Sequence, residues 1–359
     1  MAIYDIIIRI MGVFALIGGI DRILGNRLGL GKQFEEGILA MGSLALAMIG
    51  VISLAPVLAS LLKPVVVPLY SLLGADAAMF AGTLLACDMG GGTLAMEMTS
   101  DTNAALLGGV LTGSMMGATI VFTIPIALGI LQPQDRPALA KGVLCGIVTI
   151  PIGIFIGGLV AGFPVGMVIR NLTPILLIGG LIALGLWKAE KAMIKGFTIF
   201  GKSITALITT GLIAAIVERL TGFILIPGMT PITEGFHTVG EIAIVLAGAF
   251  PLVFTITKLL QKPLMKLGSW MRINDAAAAG LIASLANSIA TFGMVKDMDE
   301  RGKIVNIAFA VSAAFVLGDH LGYTAGFAPE MLPGVIVGKL AGGIGAVAVA
   351  LWLTRKYKD

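Results

Sequence analysis

The feature that most constrains this chain is a set of long apolar runs that contain no charged residue. Three such runs span residues 37–62, 102–134 and 142–169. Each exceeds the roughly 20 residues that a helix needs to cross the hydrocarbon core of a bilayer. Charged residues make up 12% of the 359-residue chain, whereas roughly 25% is typical of soluble domains. The sequence therefore predicts an all-α polytopic membrane protein, with residues 1–359 in a single transmembrane domain.

The same pattern excludes several other classes of protein. A β-barrel would show alternating polarity, whereas these runs are continuously apolar. The net charge is only +4 and the basic residues lie between the runs, so the chain offers no basic face to nucleic acid. Cys87 and Cys145 lie inside apolar runs, which favours small packing residues over a disulfide or a metal site. Residues 196–203 have the letters of a phosphate-binding loop without its strand, so no cofactor is expected.

The second half of the chain repeats the first. Asp101 and Lys141, for example, return as Asp299 and Lys339, at an offset of 198 residues. We assign residues 1–163 to the first repeat, 164–202 to a linking helix and cytoplasmic linker, and 203–359 to the second repeat. The apolar segments span residues 2–21, 36–62, 78–98, 104–131, 142–163, 167–187, 203–226, 237–257, 276–295, 304–325 and 333–354.

The distribution of Lys and Arg, which collect on the cytoplasmic side of a membrane, predicts the orientation of the repeats. In the first repeat the basic loops are 22–32 and 136–141, and their second-repeat counterparts contain no Lys or Arg. In the second repeat the basic loops are 258–272 and 296–303. The bias is reversed between the halves, which predicts the inverted repeat common among secondary transporters.

This inversion predicts two re-entrant hairpins. Segment 276–295 lies between two basic loops and must enter and leave on one face, so we expect it to break near Asn287–Ser288. Its partner, 78–98, would enter from the opposite face and break at 88–92. Irregular backbone at membrane depth is tolerated only where it lines a cavity or is buried in protein, so we expect both breaks to lie in such places. The other nine segments would be full spans, with the N-terminus outside. The C-terminus, with the bases Arg355, Lys356 and Lys358, would lie inside.

Polar residues inside apolar runs are costly to bury and are therefore candidates for function. Asp88 lies at the tip of the first hairpin, beside glycines that let the backbone turn; capping a half-helix or pairing with a lysine is the structural alternative. Asp319 and His320 can line one cavity only if their helix is broken. Asn287 and Ser288 occupy the break of the second hairpin and offer neutral hydrogen-bonding groups.

Four further residues are secondary candidates for the site. Glu36 and Glu234 lie at matched helix starts, where the helix dipole stabilises an acid, so a structural role is favoured for both. Glu97 lies near a membrane face and is expected to be solvated. Tyr323 follows the Asp319–His320 pair in the same segment.

These residues favour a secondary transporter whose cavity holds at least two acids and few bases, which suits a small cation or a proton-coupled solute. A proton- or cation-coupled transporter of another small amine or nucleoside stays open as an alternative. So do a receptor and an intramembrane enzyme that uses Asp319 and His320 as acid and base, although no nucleophile or metal constellation supports catalysis. Whether the protein forms a homo-oligomer is also left open.

Four strings of this sequence resemble the ethanolamine permease family, ethanolamine utilisation protein H. They are residues 33–37, 79–91, 113–117 and 318–322, that is QFEEG, MFAGTLLACDMGG, GSMMG and GDHLG. The resemblance runs from Asp21 to about Gly345, and this chain is shorter than the family between its first two spans.

The resemblance implies a permease for ethanolamine, a small ammonium with a hydroxyl, in the bacterial inner membrane. Uptake would be facilitated diffusion or secondary transport, and membrane lipids would be the other partner. From the chemistry of ethanolamine we expect Asp88 or Asp319 to pair with the ammonium, while His320, Asn287 or Ser288 would bind the hydroxyl.

Overall fold

The computed structural model describes residues 2–357, and within that range the chain is 85% helix with no β-strand. Eight helical stretches are long and apolar enough to cross a membrane, which confirms the predicted class. In chain order the helices are α1 (Ile3–Ile23), α2 (Leu30–Leu72), α3 (Ala78–Leu84), α4 (Gly91–Met98), α5 (Thr102–Ile130), α6 (Arg136–Ile147), α7 (Ile150–Val160), α8 (Val165–Lys188), α9 (Glu190–Thr221), α10 (Ile232–Met271), α11 (Asp275–Ala286), α12 (Ser288–Met294), α13 (Glu300–Ala313), α14 (Asp319–Phe327) and α15 (Leu332–Leu353).

The segments expected to form hairpins each fold as two short helices with a break between them. Helices α3 and α4 have 7 and 8 residues, so each is about 10–12 Å long and far too short to cross a bilayer. The Thr99 hydroxyl donates to Asp76 Oδ2 at 2.9 Å, which ties the end of this hairpin to its start. In the second hairpin Asn274 Nδ2 donates to the Asp297 carbonyl, also at 2.9 Å. The two hydrogen bonds join equivalent positions of the repeats, since Asp76 and Thr99 correspond to Asn274 and Asp297 at the 198-residue offset.

The two hairpins close at opposite ends of the molecule. The Asp76 amide donates to Asn171 Oδ1 at 2.7 Å, near the start of α8. The second hairpin closes beside α13, where Lys303 forms a 2.8 Å ion pair with the buried Asp135. The stretch Pro133–Val160 runs the length of the molecule between these two ends. The arrangement supports the predicted inversion, whose orientation in a membrane stays a prediction.

Reciprocal packing of α2 on α10 also supports inverted repeats. Gly37 of α2 packs on the backbone at Ala247 of α10, and Gly235 of α10 packs on Ile49 of α2. The contacts run in opposite sequence directions, so the helices are antiparallel. At the 198-residue offset Gly37 corresponds to Gly235 and Ile49 corresponds to Ala247, so the two contacts are equivalent. Such self-complementary contacts are the signature of a two-fold relation. A side chain at Gly37 would collide with the α10 backbone.

One predicted span is interrupted. Segment 304–325 folds as α13 and α14, separated by residues 314–318, so it is absent from the eight apolar stretches found within residues 2–357. The Phe315 amide donates to the Ser284 carbonyl at 3.0 Å, and the Leu317 amide donates to the Leu285 carbonyl at 2.8 Å. Carbonyls at the end of a helix lack partners within that helix. The backbone amides of residues 314–318 therefore satisfy carbonyls at the end of α11, and these hydrogen bonds make irregular backbone tolerable inside the membrane.

The segments predicted to be cytoplasmic lie together at one end. Lys141 Nζ donates to the Tyr357 hydroxyl at 2.8 Å, and Arg272, Arg301 and Tyr357 line one surface cavity there. This grouping agrees with one basic face, and its assignment to the cytoplasm stays a prediction. Lys358, counted among the C-terminal bases, lies outside the described residues.

The predicted cytoplasmic linker is helical. Helix α9 begins at Glu190 and continues without interruption to Thr221. Residues 196–203, which match the letters of a phosphate-binding loop, therefore lie inside a helix and cannot wrap a phosphate.

Candidate functional site

A small cavity lies where the tip of the first hairpin meets the start of α14. It has a volume of about 30 Å³, enough for one or two water molecules or an ammonium group. Its lining contains three of the predicted site residues together with aromatic and small apolar side chains. The lining residues are Ala86, Asp88, Met89, Ala118, Phe122, Phe315, Asp319 and His320.

The break in each segment aims these side chains. Asp88 lies in a single 3₁₀ turn between α3 and α4, and Gly90 ends that turn with φ of 88°, a left-handed conformation that favours glycine. A side chain at Gly90 would also run into Val51. Asp319 and His320 are the first two residues of α14. Because the helix begins there, both reach the cavity, which is the condition that the sequence pattern requires of them.

The cavity carries concentrated polar groups in an apolar setting. His320 Nε2 lies 3.7 Å from Asp88 Oδ1, too far for a direct hydrogen bond. His320 is 3% exposed, and its Nδ1 has no hydrogen-bond partner among residues 2–357. The ring of Phe315 lies 5.2 Å from the imidazole and 5.4 Å from the ring of Phe122, centroid to centroid. Carboxylates and aromatic faces both attract a cation.

A larger cavity, here called the vestibule, lies beside this small cavity. It has a volume of about 680 Å³ and is lined by Glu36 and Lys258 as well as Asn287 and Asp319. Asp319 lines both spaces and so lies at the boundary between them.

Asn287 and Ser288 differ in what they face. The Asn287 Oδ1 accepts from the Ile289 amide at 2.7 Å and caps α12, so its side chain has a structural role while it also lines the vestibule. Ser288 is fully buried, and its hydroxyl lacks a partner in the described part of the chain. It lies outside the linings of both cavities.

The secondary candidates are dispersed. Glu36 lies in the second turn of α2, not at its start, lines the vestibule and lies 3.8 Å from Lys32 Nζ. Glu234 is in the first turn of α10, as the dipole argument expects, and is exposed like Glu97. Tyr323 is buried and stacks on Phe327 outside both cavities.

Lys339 is the main residue that the sequence reasoning missed. It is 1% exposed, and its Nζ donates to the Ser114 carbonyl of α5. It lies close enough to Asp88 and His320 to interact with both electrostatically. The sequence does carry a signal for it, because a lysine near the outer end of the last span violates the positive-inside rule. The sequence predicts few buried bases beside the site, and Lys339 is a buried base that it did not include.

Helices broken around a buried polar site are typical of secondary transporters. A family model described as "Ethanolamine utilisation protein, EutH" matches residues 3–353. The chain belongs to this family.

Relatives match over nearly the full length. A protein of Listeria monocytogenes named "Probable ethanolamine permease EutH" is 60% identical, with 99% of this chain and 95% of the relative covered. A Salmonella typhimurium protein of the same name is 50% identical, with 99% and 97% covered. A Bacillus subtilis protein, "Uncharacterized protein YxeR", is 51% identical, with 99% and 96% covered. No solved structure matches this chain.

Proposed function

We propose that this protein is an ethanolamine permease of the bacterial inner membrane. The observation that carries the proposal is the convergence of Asp88, Asp319 and His320 on one small cavity beside a vestibule. The names of the relatives supply the substrate. Ethanolamine at neutral pH carries one ammonium and one hydroxyl, which matches a site with carboxylates and neutral hydrogen-bonding groups.

In this proposal the ammonium lies between Asp88 and Asp319, against the faces of Phe122 and Phe315. His320 binds the hydroxyl. A cavity of about 30 Å³ admits the ammonium but not the whole molecule. For the hydroxyl to reach His320 the hairpin tip must therefore move; if the tip stays in place, the hydroxyethyl portion extends past Asp319 towards the vestibule and Asn287.

Asn287 and Ser288 are the further hydroxyl-binding candidates. Asn287 lines the vestibule and can meet a substrate there. Ser288 needs a shift at the start of α12 to reach either cavity, so it ranks behind His320 and Asn287.

The orientation follows from the basic residues. We assign the end that carries Lys258 and Arg272 to the cytoplasm, so the vestibule would open inward. Alternating access would require the two repeats to rock against each other until the same cavity opens at the opposite end. Hairpins entering from opposite faces would then act as the inner and outer barriers.

Proteoliposomes containing the purified protein test the function. We expect them to accumulate radiolabelled ethanolamine faster than protein-free liposomes, with the label recovered as unchanged ethanolamine. Imposed sodium and pH gradients separate facilitated diffusion, which needs neither, from coupled transport. Absence of uptake under every gradient, with the protein folded and inserted, would contradict the proposal.

Three measurements address the alternatives. Stronger competition by another small amine or a nucleoside than by unlabelled ethanolamine would transfer the proposal to that solute. Conversion of the label to a new compound in detergent would indicate an enzyme. Saturable binding without flux would indicate a receptor.

A further inference from the structure

The hairpin tip and the start of α14 bring three different metal-ligating side chains together. The Cys87 thiol sulfur, a carboxylate oxygen of Asp88 and an imidazole nitrogen of His320 all lie within 4.8 Å of one another. Sequence spacing gives no hint of this cluster, because His320 belongs to the other repeat. For Cys87 the sequence indicates only a packing role.

The cluster has the dimensions of a metal site. Zinc binds sulfur at about 2.3 Å and nitrogen or oxygen at about 2.0–2.2 Å in a tetrahedron, which sets its ligands roughly 3.3–3.7 Å apart. The separation of His320 Nε2 from Asp88 Oδ1 is 3.7 Å, longer than a hydrogen bond and suited to an ion between them. Only small movements of the Cys87 side chain would complete the set.

The burial of these groups points to an additional ligand. Cys87 is 0% exposed and its thiol is free, while His320 is 3% exposed. Metal bound at Nε2, the imidazole nitrogen that faces Asp88, would fix the orientation of the ring.

Charge neutrality favours a divalent transition metal at this depth. Binding replaces the Cys87 thiol proton, which leaves through the vestibule as a hydronium ion, so that the sulfur binds as a thiolate. One thiolate and one Asp88 carboxylate then cancel the two charges of Zn²⁺, and neutral His320 adds none.

The geometry points to a Zn²⁺ site formed by Cys87, Asp88 and His320, whose occupation excludes ethanolamine. The fourth position faces the small cavity, where water or Asp319 can complete the tetrahedron. The metal would reach it through the vestibule that Asp319 also lines. The inhibition rests on the proposed function, because metal and substrate ammonium would compete for Asp88. The metal binding itself does not.

Cobalt binding to the purified full-length protein tests the site directly. Co²⁺ bound to a thiolate gives an intense near-ultraviolet absorption, and Zn²⁺ should abolish it at one equivalent. We expect this band in the wild type and in Cys145→Ala, whose thiol is buried in α6 away from the cluster. Cys87→Ala should lose the band, and Cys87→Ser guards against a folding defect in the alanine variant.

Uptake measured with and without micromolar Zn²⁺ tests the competition. Zn²⁺ should reduce uptake at least tenfold in the wild type and Cys145→Ala, and less than twofold in Cys87→Ala. A folded wild type without the thiolate band, or an equal band in Cys87→Ala, would overturn the metal site. Equal inhibition of Cys87→Ala would overturn the competition. Metal binding in a protein without ethanolamine flux would contradict the proposed function alone.

Discussion

Neutralising the two cavity acids one at a time should weaken ethanolamine uptake strongly. Asp88→Asn and Asp319→Asn keep the shape of each side chain and remove its charge. Both carboxylates line the small cavity, and the Asp88 side chain is only 17% exposed. Water therefore cannot easily replace the interaction of the carboxylate with an ammonium.

The expected magnitude follows from the strength of the interaction that each substitution removes. A hydrogen bond that involves charged groups contributes about 1.5–3 kcal/mol. At about 1.4 kcal/mol per factor of ten, each substitution should raise KM roughly 10- to 150-fold. Asp319 lines the vestibule as well, where solvent competes. We therefore expect Asp319→Asn near the lower limit and Asp88→Asn near the upper limit.

Initial rates of labelled ethanolamine uptake into proteoliposomes, over a wide concentration range, give KM and the maximal rate. Glu97→Gln is the matched control, since Glu97 is an exposed acid of α4 outside both cavities. Its KM should change less than twofold. If Asp88→Asn and Asp319→Asn were folded and also stayed within twofold of the wild type, the assignment of the substrate ammonium to this cavity would be wrong.

Three other substitutions give separable outcomes. Lys339→Gln removes a positive charge near the cavity and should lower the KM for ethanolamine uptake by about fivefold, an effect on the order of 1 kcal/mol. The control is Lys141→Gln, at the exposed equivalent position of the first repeat, which should leave this KM unchanged. Gly90→Ala should lower the free energy of unfolding by about 1–2 kcal/mol, because alanine is disfavoured in the left-handed backbone conformation found there. A melting temperature equal to that of the wild type would contradict this prediction. Lys303→Met leaves Asp135, which is 2% exposed, without its ion pair and should lower the free energy of unfolding by about 3–5 kcal/mol. An unchanged midpoint of denaturant unfolding would refute a stabilising role of this ion pair.

The sequence predicts much of the fold because local signals are strong in a membrane chain. Glycines after Asp88 and polar residues at Asn287 mark breaks that continuous apolar helices do not contain, and the structure has breaks at both places. The repeat offset is matched by equivalent helix caps, since Asp101 and Asp299 each accept backbone amides at a helix start. Helix ends are less predictable: α2 has 43 residues, well beyond the apolar core that hydropathy marks.

The composition of the site depends on contacts between distant segments, which explains why the sequence predicts it only in part. Nothing local associates Cys87 with His320, and Lys339 is visible only as an exception to the positive-inside rule. That rule counts bases that stay solvated, whereas Lys339 is buried against a carbonyl beside the cavity. The exception is therefore informative about the core, because it places a base near Asp88. We predict that one substrate ammonium balances the two cavity carboxylates and Lys339 without a co-transported cation, so that uptake into proteoliposomes should not respond to an imposed sodium gradient.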